Sequence, residues 1–169
     1  MTKGYHDSKT PESIRDSWRT PKAVFEYYNK RFDFACDVAA SIKNKLCNKC
    51  YTAEYSALEV DRKWSRANWC NPPFSDVTPW IKKALEQKER DCLTVMLLPA
   101  DNSVKWFKLA FDNCNECHFI SGRLAFINEE TGKPVSGNNK GSVVFIFDPH
   151  SPIKQAVSLI DRNEMMRHN

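Results

Sequence analysis

The feature that most constrains the fold is an uninterrupted apolar run near the middle of the chain. Residues 93–98 read Leu-Thr-Val-Met-Leu-Leu, and Pro99 ends the run. A strand with apolar side chains on both sides has to be covered on both faces, which is typical of a central strand in a parallel sheet. The run therefore predicts a central parallel strand of an α/β protein.

Helices and strands alternate around this run. A helix is expected from Pro21 to Phe32, with Thr20 as its N-cap, because its apolar residues recur at helical spacing. The other expected elements are strands at residues 32–40, 67–70, 118–127 and 142–147, a helix from Ser75 or Asp76 to about Arg90, and a helix at about 103–111. This order predicts a single-domain, doubly wound α/β sheet, mostly parallel, with a C-terminal antiparallel β-hairpin formed by the last two strands.

Length and composition indicate one compact domain. The 169 residues divide into a polar N-terminal segment at 1–17 and a domain at 18–169. The formal net charge of +4 permits contact with nucleic acid without requiring it. No apolar stretch suits a signal peptide or a membrane span, so we expect a cytoplasmic protein.

Seven cysteines include two Cys-x-x-Cys pairs, Cys47 with Cys50 and Cys114 with Cys117. A zinc site built from both pairs would have to close a longer gap than zinc fingers and ribbons usually do. We therefore expect reduced thiols and no bound metal.

The sharpest functional signal is the Asn-Pro-Pro-Phe motif, formed by Asn71, Pro72, Pro73 and Phe74 after the strand at 67–70. An amino group on an aromatic base is a poor nucleophile, because its lone pair is delocalised into the ring. The Asn71 side-chain oxygen and the Pro72 carbonyl can accept hydrogen bonds from both amino protons, while the prolines hold these acceptors in place. Phe74 offers a face on which a flipped-out base can stack. The alternative is a turn that ends the strand, with Phe74 in the core.

The chain resembles the small phage-type DNA N6-adenine methyltransferases over most of its length, from about Trp18 to Pro149. The segments that carry the resemblance occur in the family's order: Trp18-Arg19-Thr20-Pro21, Asp37-Val38-Ala39-Ala40, Trp69-Cys70-Asn71-Pro72-Pro73-Phe74, Leu97-Leu98-Pro99-Ala100, Trp106-Phe107 and Gly122-Arg123-Leu124-Ala125-Phe126. Each segment is short, but the ordered set is specific.

The resemblance implies a Rossmann-like methyltransferase domain. Such an enzyme transfers a methyl group from S-adenosylmethionine to N6 of adenine in double-stranded DNA, after base flipping and without a metal. The catalytic residues that it implies are Asn71, Pro72, Pro73 and Phe74. The cofactor-binding residues that it implies are Trp18, Thr20, Pro21, Asp37 and Ala39.

The chain departs from the wider methyltransferase class after its first strand. Residues 37–40 include small side chains but lack the usual glycine-rich loop, and Asp37 has the alternative role of capping a turn. Glu54 and Asp61 are the candidates for the carboxylate that binds the cofactor ribose. A basic stretch is either a solvated face or a contact for the DNA backbone, and its members are Lys43, Lys45, Lys49, Arg62, Lys63 and Arg66.

Three alternatives stay open from the residues alone. Cytosine N4 and the amide of protein glutamine are also planar amino nitrogens that need two acceptors. A non-catalytic nucleic-acid-binding module on a degenerate methyltransferase scaffold is favoured by the missing glycine loop and opposed by the intact Asn-Pro-Pro-Phe motif. No separate target-recognition domain fits in this length, so DNA sequence reading would fall to loops such as 1–17 or 128–141.

Overall fold

The computed structural model describes residues 16–135 and 140–167, and the structural statements below concern these two ranges. The strands are β1 (Trp18–Arg19), β2 (Cys36–Asp37), β3 (Lys49–Cys50), β4 (Ala67–Cys70), β5 (Leu93–Pro99), β6 (Glu116–Ser121), β7 (Ile127–Asn128), β8 (Ser142–Phe147) and β9 (Ala156–Asp161). The helices are α1 (Lys22–Phe32), α2 (Thr78–Lys88), α3 (Lys105–Asn113) and α4 (Arg162–Arg167). None of these helices combines the length and the apolar character that crossing a bilayer requires.

A seven-stranded mixed sheet forms the centre of the protein, in the order β3-β2-β4-β5-β8-β6-β9. Most neighbours are parallel, and β8 is antiparallel to both β5 and β6. The chain runs from β2 outward to β3 and then returns to β4 on the other side of β2. Strand order therefore reverses between β2 and β4, and ligands of open α/β sheets bind at the carboxyl ends of strands at such a reversal.

Side chains of the central strands alternate between two apolar clusters, one on each face of the sheet. Val95 and Leu97 of β5 pack in the cluster that contains α1 and α4, whereas Met96 and Leu98 pack with α2 and α3. All four side chains are fully buried. Helices thus cover both faces, as the apolar run predicted, although β5 is parallel to β4 only and antiparallel to β8.

The antiparallel pair predicted near the C-terminus is present as β6 and β8, but the strand limits differ. β6 ends at Ser121, because Gly122 turns the backbone with a φ of 88°. Residues Ile127–Asn128 form β7, which pairs with β1 in a separate two-stranded sheet. β9, which the sequence analysis did not predict, adds to the edge of β6 with Val157 and Leu159 exposed. The sheet therefore does not end in a hairpin.

The helices begin later than the predicted caps. α1 follows Pro21, which occupies the N-cap position, and Thr20 provides no capping bond. α2 begins at Thr78, and residues 75–76 do not cap it. The hydroxyl of Ser75 instead donates a hydrogen bond to Asp16 at 2.5 Å, so this side chain joins two loops.

The first strand of the large sheet is shorter than predicted. α1 continues to Phe32, and Asp33 ends it in the left-handed conformation with a φ of 50°. The strand covers only Cys36–Asp37. Phe34 is buried against Trp69, with ring centroids 5.6 Å apart, although it lies outside the strand. The alternating apolar residues at 32–40 therefore predicted a longer strand than the one that forms.

A polar network, buried except for the half-exposed side chain of Arg31, ties α1 to β6. Arg31 donates two hydrogen bonds to the Glu116 carboxylate, at 2.9 and 2.5 Å, and Glu116 Oε2 lies 2.8 Å from His118 Nε2. His118 Nδ1 lies 3.1 Å from the Tyr28 hydroxyl. The hydrogen bonds from Arg31 hold the pKa of Glu116 below its ordinary value, and burial lowers the pKa of His118.

We expect acid to destabilise the fold through this network. His118 and Glu116 both hold a proton less readily in the folded protein. Their contribution to the free energy of unfolding is therefore present above their ordinary pKa values, 6.5 for His118 and 4.5 for Glu116. It is lost as the pH falls from those values toward the lower folded ones. Glu116→Gln should lower Tm at pH 7 and flatten the fall of Tm between about pH 7 and pH 4.

Thermal unfolding followed by circular dichroism across this pH range measures both effects. Glu89→Gln, at an exposed position on the end of α2, is the matched control and should leave the profile unchanged. A Glu116→Gln profile parallel to the native one would show that the network does not set the acid sensitivity.

Candidate active site

A cavity of about 250 Å³ lies at the carboxyl ends of β2 and β4, where the strand order reverses. Its walls come from segments that are distant in sequence. They are parts of residues 16–20, 37–46 and 51–56, the Asn-Pro-Pro-Phe motif with nearby tryptophans, and Glu129. The cavity is therefore a product of strand order, since no single segment forms it.

Pairing of β2 with β4 places Asp37 beside the Asn-Pro-Pro-Phe motif. Asp37 lies opposite Trp69 in the parallel register, and Asn71 follows Trp69 by two residues. Both strands end here, and Asp37 and Asn71 line the same cavity. This is the arrangement that neighbouring strand ends of an α/β sheet are expected to give.

The predicted site residues fall into those that line the cavity and those that lie behind or beside it. The residues that line it are Trp18, Thr20, Asp37, Ala39, Asn71 and Pro73. The residues that do not are Pro21, Pro72 and Phe74. Pro21 precedes α1, and Pro72 is buried.

Asn71 is oriented by the backbone of β1. Its Nδ2 donates to the Trp18 carbonyl at 3.4 Å, and its Oδ1 has no hydrogen-bond partner in the described part of the chain. The neighbouring Pro72 carbonyl likewise accepts no hydrogen bond from the described residues. The prolines supply no N–H group. The turn therefore holds two adjacent oxygen acceptors with unused capacity.

Phe74, the last residue of the motif, packs against the connection between β6 and β7. Its ring meets Phe126 edge-on, with centroids 5.8 Å apart and an interplanar angle of 87°. Phe126 also stacks on Trp18 at 5.8 Å. Phe74 is only half-buried, so its ring combines contact with the core and partial access from solvent.

Asp37 organises the loop that follows β2. Its two carboxylate oxygens accept backbone N–H groups of Ala39, at 3.4 Å, and Leu46, at 3.1 Å. Burial raises the pKa of Asp37 to about 6. The turn-capping interpretation is therefore confirmed, and the role of Asp37 toward a cofactor stays a prediction.

The structure does not bring either predicted ribose-binding carboxylate to the cavity. Glu54 and Asp61 are both exposed and lie outside its lining. The carboxylates that line it are Asp16, Asp37 and Glu129. Glu129 follows β7, which pairs with β1, and neither short strand could be recognised from the sequence.

The loop between β3 and β4 forms a wall that the sequence analysis left unassigned. Two buried polar side chains of α2 hold it. Lys83 Nζ donates to two loop carbonyls, each at 2.9 Å, and Gln87 accepts the N–H of Trp64 at 2.7 Å and donates to the Arg62 carbonyl at 3.0 Å. A lysine and a glutamine four residues apart on the apolar side of a helix were the only sequence signal of this contact.

The predicted basic stretch does not form one surface. Arg66 precedes β4 at the end of the sheet opposite the cavity, and it forms an exposed ion pair at 2.8 Å. The Arg62 guanidinium lies over the Tyr55 ring, 3.7 Å from its centroid. Lys43 and Lys45 are exposed in the loop after β2, beside residues that line the cavity. These two lysines are thus placed as the DNA-contact interpretation requires.

The two Cys-x-x-Cys pairs lie far apart in the sheet. Cys50 is in β3 at one edge and Cys117 is in β6, with four strands between them. At a strand spacing of about 4.8 Å, five steps separate them by roughly 24 Å, too far for a shared metal. No cluster of three metal-binding side chains occurs in the described ranges. The absence of metal from the purified protein stays a prediction.

The loops expected to read DNA sequence are described only in part. Of residues 1–17, the first 15 lie outside the described residues. Of residues 128–141, positions 136–139 lie outside them. The assignment of sequence reading to these loops therefore stays a prediction.

Comparison with known proteins agrees with the geometry. The family described as DNA N-6-adenine-methyltransferase (Dam) matches residues 7–169. A DNA N-6-adenine-methyltransferase of Escherichia phage T1 is 44% identical over 161 residues, which cover 85% of this chain and 67% of that protein. One of Haemophilus phage HP1 is 37% identical over 152 residues, 86% of each chain. With nearly its whole length matched, the chain belongs to the DNA N-6-adenine-methyltransferase family.

Proposed function

We propose that this DNA N6-adenine methyltransferase binds S-adenosylmethionine in the cavity at the ends of β2 and β4. The methyl group passes to an adenine flipped out of double-stranded DNA. The observation that carries the proposal is the pair of unused acceptors, Asn71 Oδ1 and the Pro72 carbonyl, beside that cavity. Both phage relatives are named for adenine N6, which favours this acceptor over cytosine N4 and protein glutamine.

Asn71 and Pro72 provide what the adenine amino group needs. The Trp18 carbonyl holds the Asn71 amide nitrogen, so the side-chain oxygen is already turned to accept. Hydrogen bonds from both N6 protons draw the nitrogen toward a tetrahedral shape and free its lone pair for attack on a methyl carbon. The same oxygens stabilise the positive charge that the nitrogen acquires before it loses a proton. S-adenosylmethionine, when bound, supplies the methyl group on a positively charged sulfur.

The chemistry of the cavity fits this cofactor. Three carboxylates line it, those of Asp16, Asp37 and Glu129, and they match a ligand that carries an ammonium and a sulfonium. Tyr51 and Trp80 also line it and offer aromatic faces to a purine or a cation. Lys43 and Lys45, exposed beside the cavity, support an approach of the DNA backbone from this side.

The substrate is tested by methylation of matched duplex and single-stranded DNA with labelled S-adenosylmethionine, followed by digestion to nucleosides. We expect label in N6-methyladenine, with the higher rate on the duplex. Label in cytosine would overturn the acceptor, and modification of single strands alone would overturn the duplex substrate.

In the same assay we expect Asn71→Ala to lower kcat by ~10²–10³, because one preorganised acceptor is lost. Cofactor affinity should change little, since the oxygen acts on the substrate amine. Asn113→Ala, at the far end of α3, is the matched control and should retain full turnover. Near-normal methylation by Asn71→Ala would remove the motif from the mechanism.

Phe74→Ala should weaken stacking of the flipped base by ~1–3 kcal/mol, whereas Phe74→Tyr should remain active. A fluorescent adenine analogue at the target position should brighten with the native enzyme and less with the Ala variant. Phe111→Ala, which removes another half-buried ring far from the motif, controls for lost packing. Equal brightening with native and Phe74→Ala proteins would leave Phe74 with a packing role only.

Cofactor binding should depend on pH through Asp37. Its pKa of about 6 means that near pH 5 the free protein holds this carboxyl protonated, and a cationic ligand favours the ionised form. Affinity for S-adenosylmethionine should therefore rise between about pH 5 and pH 7, with proton release on binding. The pH dependence should disappear in Asp37→Asn and persist in Asp61→Asn, an exposed control outside the cavity.

Calorimetry in two buffers of different ionisation enthalpy measures both affinity and proton release. An Asp37→Asn protein with the native pH dependence would exclude Asp37 as the group that responds to the ligand's charge.

A further inference from the structure

Arg19 is a cation whose charge has no partner in the described chain. It lies in β1, opposite Ile127 of β7, and it lines the cavity. Its Nε is enclosed from solvent and has no hydrogen-bond partner among residues 16–135 and 140–167. No ion pair joins the guanidinium to any residue in the described ranges.

The acids that line the same cavity are engaged with other groups. Asp16 accepts the Ser75 hydroxyl, Glu129 accepts the Ser41 hydroxyl, and Asp37 accepts N–H groups of the loop that follows it. None of them neutralises Arg19 directly. Arg19 is half-buried, and an N–H of its guanidinium that is enclosed without a partner is costly, because the water that it has lost is not replaced. The arrangement therefore favours an anionic group supplied by a ligand.

We propose that Arg19 binds the carboxylate at the amino-acid end of the methyl donor, and so selects ligands that retain the amino acid. This inference rests on the proposed function, since it takes S-adenosylmethionine as the ligand. The carboxylate is the one anionic group of that molecule. A guanidinium binds a carboxylate through paired, charge-assisted hydrogen bonds.

The place of Arg19 in the cavity lining favours this group over a DNA phosphate. The backbone of a duplex cannot enter a cavity of about 250 Å³, whereas the end of a small ligand can. Lys43 and Lys45 are exposed outside the cavity and are better placed for phosphates.

The position of Arg19 also suits the reaction. The Trp18 carbonyl, which joins Trp18 to Arg19 in the peptide chain, accepts the amide of Asn71 at 3.4 Å. In S-adenosylmethionine a short methylene chain separates the carboxylate from the sulfonium. A carboxylate held at Arg19 would therefore keep the sulfur close to Asn71 and to the adenine amino group.

The test compares two ligands that differ in the amino acid. S-adenosylhomocysteine retains it, whereas 5′-methylthioadenosine keeps the nucleoside and the sulfur without it. Isothermal titration calorimetry with Arg19→Ala should show ~10–100-fold weaker binding of S-adenosylhomocysteine and unchanged binding of 5′-methylthioadenosine. Arg19→Lys should recover part of the loss, because it restores the charge without the planar fork. Arg66→Ala, which removes an exposed arginine at the other end of the sheet, should bind both ligands as the native protein does.

Unchanged binding of 5′-methylthioadenosine also shows that the variant is folded. An equal loss of affinity for both ligands would mean that Arg19 shapes the cavity without contacting the carboxylate, and would overturn the inference. So would native affinity for both ligands together with a reduced salt dependence of DNA binding, which would make Arg19 a phosphate contact. These outcomes leave the proposed function intact, whereas a native protein that binds neither ligand overturns the cofactor proposal itself.

Discussion

The burial of Trp69 against α1 is the contact on which the geometry of the site depends. Its side chain is fully buried and meets the rings of Phe25, Tyr28 and Phe34 at centroid distances of 5.7, 6.2 and 5.6 Å. Large aromatic side chains dominate core energetics, so this position has little freedom to shift. Since Trp69 lies opposite Asp37 and two residues before Asn71, its packing fixes the strand end from which the Asn-Pro-Pro-Phe motif projects.

Beyond the strand ends, buried polar side chains replace regular structure. The connections from β2 to β3 and from β3 to β4 contain no helix, so much of their backbone cannot pair within an element. Asp37 holds the first connection through two N–H groups, while Lys83 and Gln87 hold the second through its carbonyls and the N–H of Trp64. Buried backbone groups require such partners. The cavity is therefore preformed by side chains that belong to the scaffold.

Hydrogen-bond acceptors and a cation that lack partners in the described chain lie close together at this preformed site. Asn71 and Pro72 hold oxygen acceptors that the described chain leaves open, and Arg19 holds a cation that no described acid pairs with. The Trp18–Arg19 segment links them, because its carbonyl orients Asn71 and its side chain lines the cavity. One short strand, paired with β7 outside the large sheet, thus contributes to both the proposed catalytic and the proposed cofactor contacts.

Local chemistry was enough to locate the Asn-Pro-Pro-Phe turn and the main helices and strands. The apolar run at residues 93–98 required cover on both faces, and the prolines of the Asn-Pro-Pro-Phe motif required a stiff turn, because these are properties of the residues themselves. The predicted helix caps were wrong: Pro21 takes the N-cap position in place of Thr20, and the Ser75 hydroxyl bonds to the distant Asp16 instead of its own helix. β9 was missed because its exposed side chains leave no burial pattern.

The sequence by itself thus determined the α/β class, the family and the order of the site segments. The tertiary structure decided which carboxylates reach the cavity, Asp16, Asp37 and Glu129 in place of Glu54 and Asp61, and which arginine lines it. Those placements depend on the pairing of β2 with β4 and of β1 with β7, contacts between distant residues that no local pattern specifies.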